Sequence, residues 1–155
     1  MKLQEVFSTS QNLEWEFNVN EFYSTFAIDD RHYGISAIEE TVQSKKALRV
    51  DFHYKNNGTI QHNATNFGKD SFKVLSIIVN AIKQKFANDF DIIYFLAKKT
   101  ENDKEFDSRV KLYSRIVDRL KVENNRISFK KEMQDEYLFA LFKTEDDKQI
   151  LLDFI

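Results

Sequence analysis

Apolar and polar residues alternate along much of the first half of the chain. A period of two is typical of half-buried β-strands, whose successive side chains point to opposite faces of a sheet. The Asn56-Asn57-Gly58 sequence predicts a hairpin turn, because Asn and Gly accept positive φ. The first half therefore predicts an antiparallel meander. The predicted strands are residues 13–19, 22–28, 33–38, 47–54 and 59–63.

The apolar spacing becomes helical after residue 70. Asp70 or Ser71 can cap this first helix. Residues 91–97 then form a nearly continuous apolar run, which predicts a central strand buried on both faces. The inward face of the helix is predicted from residues spaced three or four apart: Phe72, Leu75, Ile78, Val79, Ile82 and Phe86.

A second helix is predicted after a charged loop at 98–105, with Asp107 or Ser108 as its cap. We interpret its basic residues, Arg109 among them, as a solvated face, since acidic residues alternate with them. A hairpin at 127–129 and 137–142 follows, and the tail at 149–154 is predicted as a short strand or a packed terminus. This order predicts one α+β domain, 1–155, with a mixed, mostly antiparallel sheet and two main helices.

Composition narrows the class of protein. The chain of 155 residues contains 15 Phe and 6 Tyr, which predicts an aromatic core. A formal charge of −2 argues against a nucleic-acid partner. The chain has no Cys, which excludes disulfides, thiolate catalysis and Cys-ligated zinc. No apolar run approaches the length of about 18 residues that spans a bilayer, so we expect no membrane association and a cytoplasmic location.

The order of elements resembles the GNAT acetyltransferase superfamily. There, a glycine-bearing turn before the central helix holds the pyrophosphate of acetyl-CoA, and a tyrosine of the following helix is the general acid. The resemblance implies a GNAT-like topology, with acetyl-CoA as cofactor and Tyr113 as the acid. It also implies a pyrophosphate cradle at Gly68, Lys69, Asp70, Ser71 and Phe72.

Both implied sites also have a purely structural interpretation. Gly68 can supply a positive φ before an ordinary N-cap. Tyr113 can be a core residue, because it lies at helical spacing among apolar residues.

An acetyltransferase also needs a base to deprotonate its amine substrate. Glu39 and Glu40, near the end of the third strand, and Asp51 on the fourth are the candidates, and Glu40 is the predicted base. This role requires a pKa raised by burial. The alternative is that these are ordinary exposed carboxylates at the ends of strands.

The three histidines do not predict a metal site. His53 and His62 lie on opposite arms of the predicted hairpin, and His32 lies elsewhere. Zinc requires three or four ligands, and no third ligand is placed near this pair. We therefore predict no metal.

Three local sequences resemble a group of small tailed-phage proteins that carry no established activity: residues 1–7 (MKLQEVF), 65–68 (TNFG) and 108–115 (SRVKLYSR). Asp70 stands where the GNAT turn has Gly or Ala, and a carboxylate there repels a pyrophosphate. The sequence therefore predicts a non-catalytic phage accessory or virion-associated protein. It would bind a viral or host protein in the host cytoplasm or virion and need no cofactor. The alternative is an acyl-CoA-dependent N-acetyltransferase.

Overall fold

The computed structural model describes residues 13–29, 31–56, 59–61, 71–86, 88–99 and 103–155. In this part of the chain, five strands precede the first helix, and strands and helices then alternate. The strands are β1 (Glu16–Asn18), β2 (Glu21–Ile28), β3 (Arg31–Val42), β4 (Lys45–Asn56), β5 (Thr59–Gln61), β6 (Ile92–Lys98), β7 (Ile127–Glu132) and β8 (Glu136–Phe142). The helices are α1 (Ser71–Lys85), α2 (Asp103–Asn124) and α3 (Glu145–Phe154).

The strands form one mixed sheet in the order β1-β2-β3-β4-β6-β8-β7, and β5 pairs with the end of β4. Among the strands of the described residues, β4 and β6 pair in parallel and the other pairings are antiparallel. The meander and the β7–β8 hairpin are as the sequence predicted. The predicted class, an α+β fold with a mostly antiparallel mixed sheet, is confirmed.

The sheet carries α1 and α2 on one face and α3 on the other. The α1/α2 face holds the larger core, which is rich in aromatic side chains, as predicted. β6 is buried on both faces, because Ile93 and Phe95 point into the larger core while Ile92 and Tyr94 point into the smaller one. Its continuous apolar sequence reflects this central position.

The parallel pairing of β4 with β6 is short. Only Ala47, Leu48 and Arg49 have partners on β6, namely residues 92–94. Further along, β4 pairs with β5 while β6 continues along β8. The two parallel strands therefore diverge towards their carboxyl ends, and the sheet opens between them.

Helix boundaries differ from the predicted ones. α2 begins at Asp103, so the cap predicted at Asp107 or Ser108 is wrong, because residues 103–106 include good helix formers and extend the helix. Phe72 is 69 % exposed rather than buried. Phe72 is the second residue of α1, in the first turn, and the buried residues of the helix begin at Val74.

The tail is a helix, α3, so the short strand predicted as one alternative is wrong. The other alternative, a packed terminus, is confirmed, because Leu151 is buried in the smaller core. A capping box starts it: the Thr144 hydroxyl accepts a hydrogen bond from the Asp147 N–H at 3.4 Å, and the Asp147 carboxylate accepts one from the Thr144 N–H at 3.3 Å. Both free N–H groups are thereby satisfied. Within the described residues, no helix is long and apolar enough to cross a membrane.

Replacement of Thr144 by alanine is expected to lower the free energy of unfolding by about 1 kcal/mol, because it removes the side-chain half of this box. Urea denaturation followed by circular dichroism measures the change. Thr144→Ser keeps the hydroxyl and is the matched control, expected to stay within a few tenths of a kcal/mol of wild type. Equal losses in the two variants would show that the cap does not stabilise α3.

Candidate functional site

A cleft of about 350 Å³ lies where β4 and β6 diverge. It opens on the sheet face opposite α1 and α2, because Arg49 and Asp51 alternate along β4 with the core residues Leu48, Val50 and Phe52. Strand divergence, rather than a loop, therefore creates the cavity. Its charged lining residues are Glu21, Arg49, Asp51, Lys98 and Arg109.

Arg109 reaches this cleft from α2, through the gap in the sheet. Its guanidinium donates to the Phe52 carbonyl at 3.1 Å and to the Tyr113 hydroxyl at 3.2 Å, and lies 3.5 Å from the Asp51 carboxylate. The Tyr113 hydroxyl in turn accepts from the Phe52 N–H at 3.3 Å. Two side chains of α2 thus satisfy the backbone groups of Phe52 at the edge that faces the gap.

The interpretation of Arg109 as part of a solvated face is wrong, since Arg109 is only 5 % exposed. A signal for its burial was present in the sequence. Arg109, Tyr113, Ile116 and Leu120 are spaced by four, three and four residues, so the arginine lies on the apolar stripe of α2. An arginine on a buried stripe needs partners, and the cleft supplies them.

Tyr113 lies beneath the cleft and is fully buried. Burial raises the pKa of its hydroxyl above the usual value, with Arg109 opposing and Asp51 adding to the rise. The phenol is therefore protonated at neutral pH, and it donates to Asp51 at 3.4 Å. Its role as a general acid stays a prediction; its contact with the cleft is through Asp51.

Glu40 lies away from the cleft lining. It accepts a hydrogen bond from the Tyr94 hydroxyl at 2.5 Å, on the sheet face opposite Tyr113. Burial, followed by the bond to Glu40, raises the pKa of Tyr94. Glu39 lies 3.9 Å from the Lys46 ammonium. Of the three carboxylates considered as bases, Asp51 is the one that lines the cleft.

Most of the predicted pyrophosphate cradle, Gly68, Lys69 and Asp70, lies outside the described residues. Ser71 is the first residue of α1, and the Phe72 side chain is exposed. α1 follows β5 in the chain, and its C-terminal end lies beside the start of β6, where the Phe86 and Phe90 rings are 5.8 Å apart. α1 packs on the sheet face opposite the one on which the cleft opens.

A histidine lies on the same sheet face as the cleft. The His53 Nε2 atom is 3.2 Å from the Tyr23 hydroxyl, and the two rings stack with centroids 5.6 Å apart. His32 is exposed, and His62 lies outside the described residues. The residues that the structure describes contain no group of three His, Asp or Glu side chains suited to a metal ion.

The two raised tyrosine pKa values make the fold sensitive to alkali. Unfolded tyrosine ionises near pH 10, whereas Tyr94 and Tyr113 keep their protons to higher pH when folded. Their contribution to stability is therefore complete below about pH 10 and is lost as pH rises through the folded pKa.

The expected result is a fall in the urea midpoint of the wild type above about pH 10. The fall should be shallower in the Tyr113→Phe variant, because phenylalanine has no group that ionises. Tyr137→Phe is the control, because Tyr137 is only partly buried. An unchanged slope in Tyr113→Phe would contradict the account.

No family model, no curated protein and no solved structure matches this chain. The shape and chemistry of the cleft indicate the kind of ligand that it can bind. The cleft is a gap between diverging parallel strands, its lining carries both signs of charge, and a buried arginine is bound to a carboxylate at its floor.

Proposed function

We propose that the cleft binds the acyl end of an acyl-CoA and that the protein transfers the acyl group to an amine. The observation that carries this proposal is the divergence of β4 and β6 after Arg49 and Tyr94. A gap between diverging strands can take an extended chain in the place of a missing strand. The pantetheine arm of CoA is such a chain, with amide groups along its length and the thioester at its tip.

The charges near the gap support an anionic ligand. Three cationic side chains, Arg49, Lys98 and Arg109, line the cleft, against the two carboxylates of Glu21 and Asp51. A surplus of positive charge favours the approach of a polyanion such as CoA.

We assign the proton transfer to Asp51, because its carboxylate lines the cleft. The amine nitrogen attacks the thioester carbon, so that a C–N bond forms and the C–S bond breaks. The Asp51 carboxylate takes the proton that the amine loses and returns it to the departing thiolate. In this scheme Tyr113 and Arg109 are positioning residues, since both contact the Asp51 carboxylate. Glu40, the base predicted from the sequence, would have no direct contact with the substrate.

A thermal-shift titration with acetyl-CoA, with CoA and ATP as comparators, tests binding. A ligand at about 100 times its dissociation constant stabilises a protein by roughly 2.7 kcal/mol. For this size of chain, the melting temperature should rise by about 5–10 °C. A rise with acetyl-CoA and CoA but not with ATP is the expected result. The absence of any rise at millimolar acetyl-CoA would reject the proposal.

A mutation separates binding from transfer. Asp51→Asn is expected to keep the thermal shift with acetyl-CoA and to reduce acetylation of a mixed amine panel by about 100-fold or more. Glu40→Gln, which alters a carboxylate outside the cleft, is the matched control. If only Glu40→Gln removed activity, Asp51 would not be the base.

A second candidate function is the protein-binding role predicted from the sequence, and the β1 edge supports it. Phe17, on this end strand of the sheet, is 55 % exposed, and Val19, in the turn that follows the strand, is 86 % exposed. The Phe17 ring packs at a tilt against Phe22, with ring centroids 4.5 Å apart, so the exposed ring extends the core outwards. The proposed occupant is an extended segment of a viral or host protein that adds a strand to β1.

A photo-reactive amino acid at position 17 tests this second role. The expected result is a crosslink in cells to one protein. That protein should not be captured when the probe is at Val122, an apolar position on α2 that is more exposed than Phe17. Introducing Val19→Asp into the probe-bearing protein should weaken the crosslink. Identical crosslinks from both positions would contradict a docking site at β1.

A further inference from the structure

We infer that the amine substrate of this cleft also carries a carboxylate, so that the acceptor is a small zwitterion of the amino-acid type. The inference rests on the proposed function, whose acceptor it specifies. It follows from charged groups of the cleft that have no ion-pair partner among the described residues.

The ion pair between Asp51 and Arg109 accounts for only part of the charge of the cleft. In the described part of the chain, no oppositely charged group lies within ion-pair distance of Glu21, Arg49 or Lys98. The cleft therefore presents one carboxylate and two cations to a ligand. A ligand that matches them carries an ammonium group and an anionic group together.

The sheet register places the two opposite charges in one row on the sheet face that lines the cleft. Glu21 pairs with Ile38, Ile38 with Arg49, and Arg49 with Tyr94, so all four residues form one row across the sheet. Neighbouring strands are about 4.8 Å apart, which puts the Glu21 and Arg49 backbones about 10 Å apart. Both side chains point to the same face, so a molecule of a few heavy atoms can contact both.

Ligands with a single type of charge match the lining less well. A diamine would leave Arg49 and Lys98 facing its positive charges, and a dicarboxylate would face Glu21. The volume of about 350 Å³ also lies at the small end of the range for ligand sites, which suits an amino acid and excludes a folded peptide chain.

Calorimetric titration with matched probes tests the inference. The probes are 4-aminobutanoate, butylamine and butyrate, which share a four-carbon chain, together with glycine, β-alanine and 6-aminohexanoate to vary the separation of charges. At least one amino acid of the series is expected to bind about tenfold or more tightly than butylamine and butyrate, because it makes two charge-assisted contacts rather than one.

Two variants assign the contacts. Glu21→Gln should remove the advantage of the amino acid over butyrate, and Arg49→Gln should remove its advantage over butylamine. Lys131→Gln, an exposed change on β7, should leave both intact. Unchanged melting temperatures would show that the two cleft variants fold. If no amino acid outbinds the single-charge probes, or if both preferences survive in the variants, the inference is overturned.

Acetyl-CoA titrated into the same samples separates this inference from the proposed function. Selective binding of an amino acid without any effect of acetyl-CoA would reject acyl transfer and leave the zwitterion site standing. Binding of acetyl-CoA without selectivity for an amino acid would keep acyl transfer and overturn the zwitterion site.

Discussion

Replacement of Arg109 by leucine is expected to lower the free energy of unfolding by about 3 kcal/mol, because it leaves buried groups of the gap without their partner. The Phe52 carbonyl, the Tyr113 hydroxyl and the Asp51 carboxylate all lose a charged donor. Asp51 is partly exposed, so water compensates some of this loss and places the effect at the low end for a buried pair.

Chemical denaturation measures this effect, and Arg115→Leu is its matched control. Arg115 lies on the same helix but is exposed, so its replacement should change stability by no more than about 0.5 kcal/mol. A similar small change in Arg109→Leu would show that the arginine does not hold α2 against the diverging strand.

The second large effect is expected from Gly34→Ala, which should cost about 2 kcal/mol through overpacking. A Cβ atom at this position would overlap the imidazole of His53 on the neighbouring strand. His53 is 1 % exposed and is stacked against Tyr23, so its ring has little room to move. The close approach of the His53 ring to the backbone of β3 therefore requires a glycine at position 34.

A double-mutant cycle tests this explanation. In a His53→Ala background the space beside Gly34 is empty, and Gly34→Ala should then cost only a few tenths of a kcal/mol. An equal cost in both backgrounds would contradict the steric account and point to the backbone of β3 instead.

Much of the sheet could be predicted from the sequence because its strands have simple patterns. β2 alternates between buried and exposed side chains, and β6 is apolar throughout because it is covered on both faces. The α3 helix was missed because its residues 149–154 are mostly apolar and short, and its real signal lies earlier, in the Thr144–Asp147 capping box.

The cleft was harder to predict because no single segment encodes it. Its residues come from β2, β3, β4, β6 and α2, and their proximity depends on where two parallel strands stop pairing. Asp51 was a candidate base from its place on a strand. Arg109 was missed because its charge suggested solvent, whereas its helical spacing placed it among core residues. Glu21 and Arg49 gave no local signal, and only the strand register aligns them.

The central claim is that the cleft between β4 and β6 binds an acyl-CoA. The most direct test is a titration of the ¹⁵N-labelled protein with acetyl-CoA, followed by the backbone amide resonances. The account predicts saturable shifts concentrated at residues 49–52 of β4, at residues 95–98 of β6 and around Arg109. Resonances that stay unchanged at millimolar acetyl-CoA, or shifts concentrated at the β1 edge instead, would contradict it.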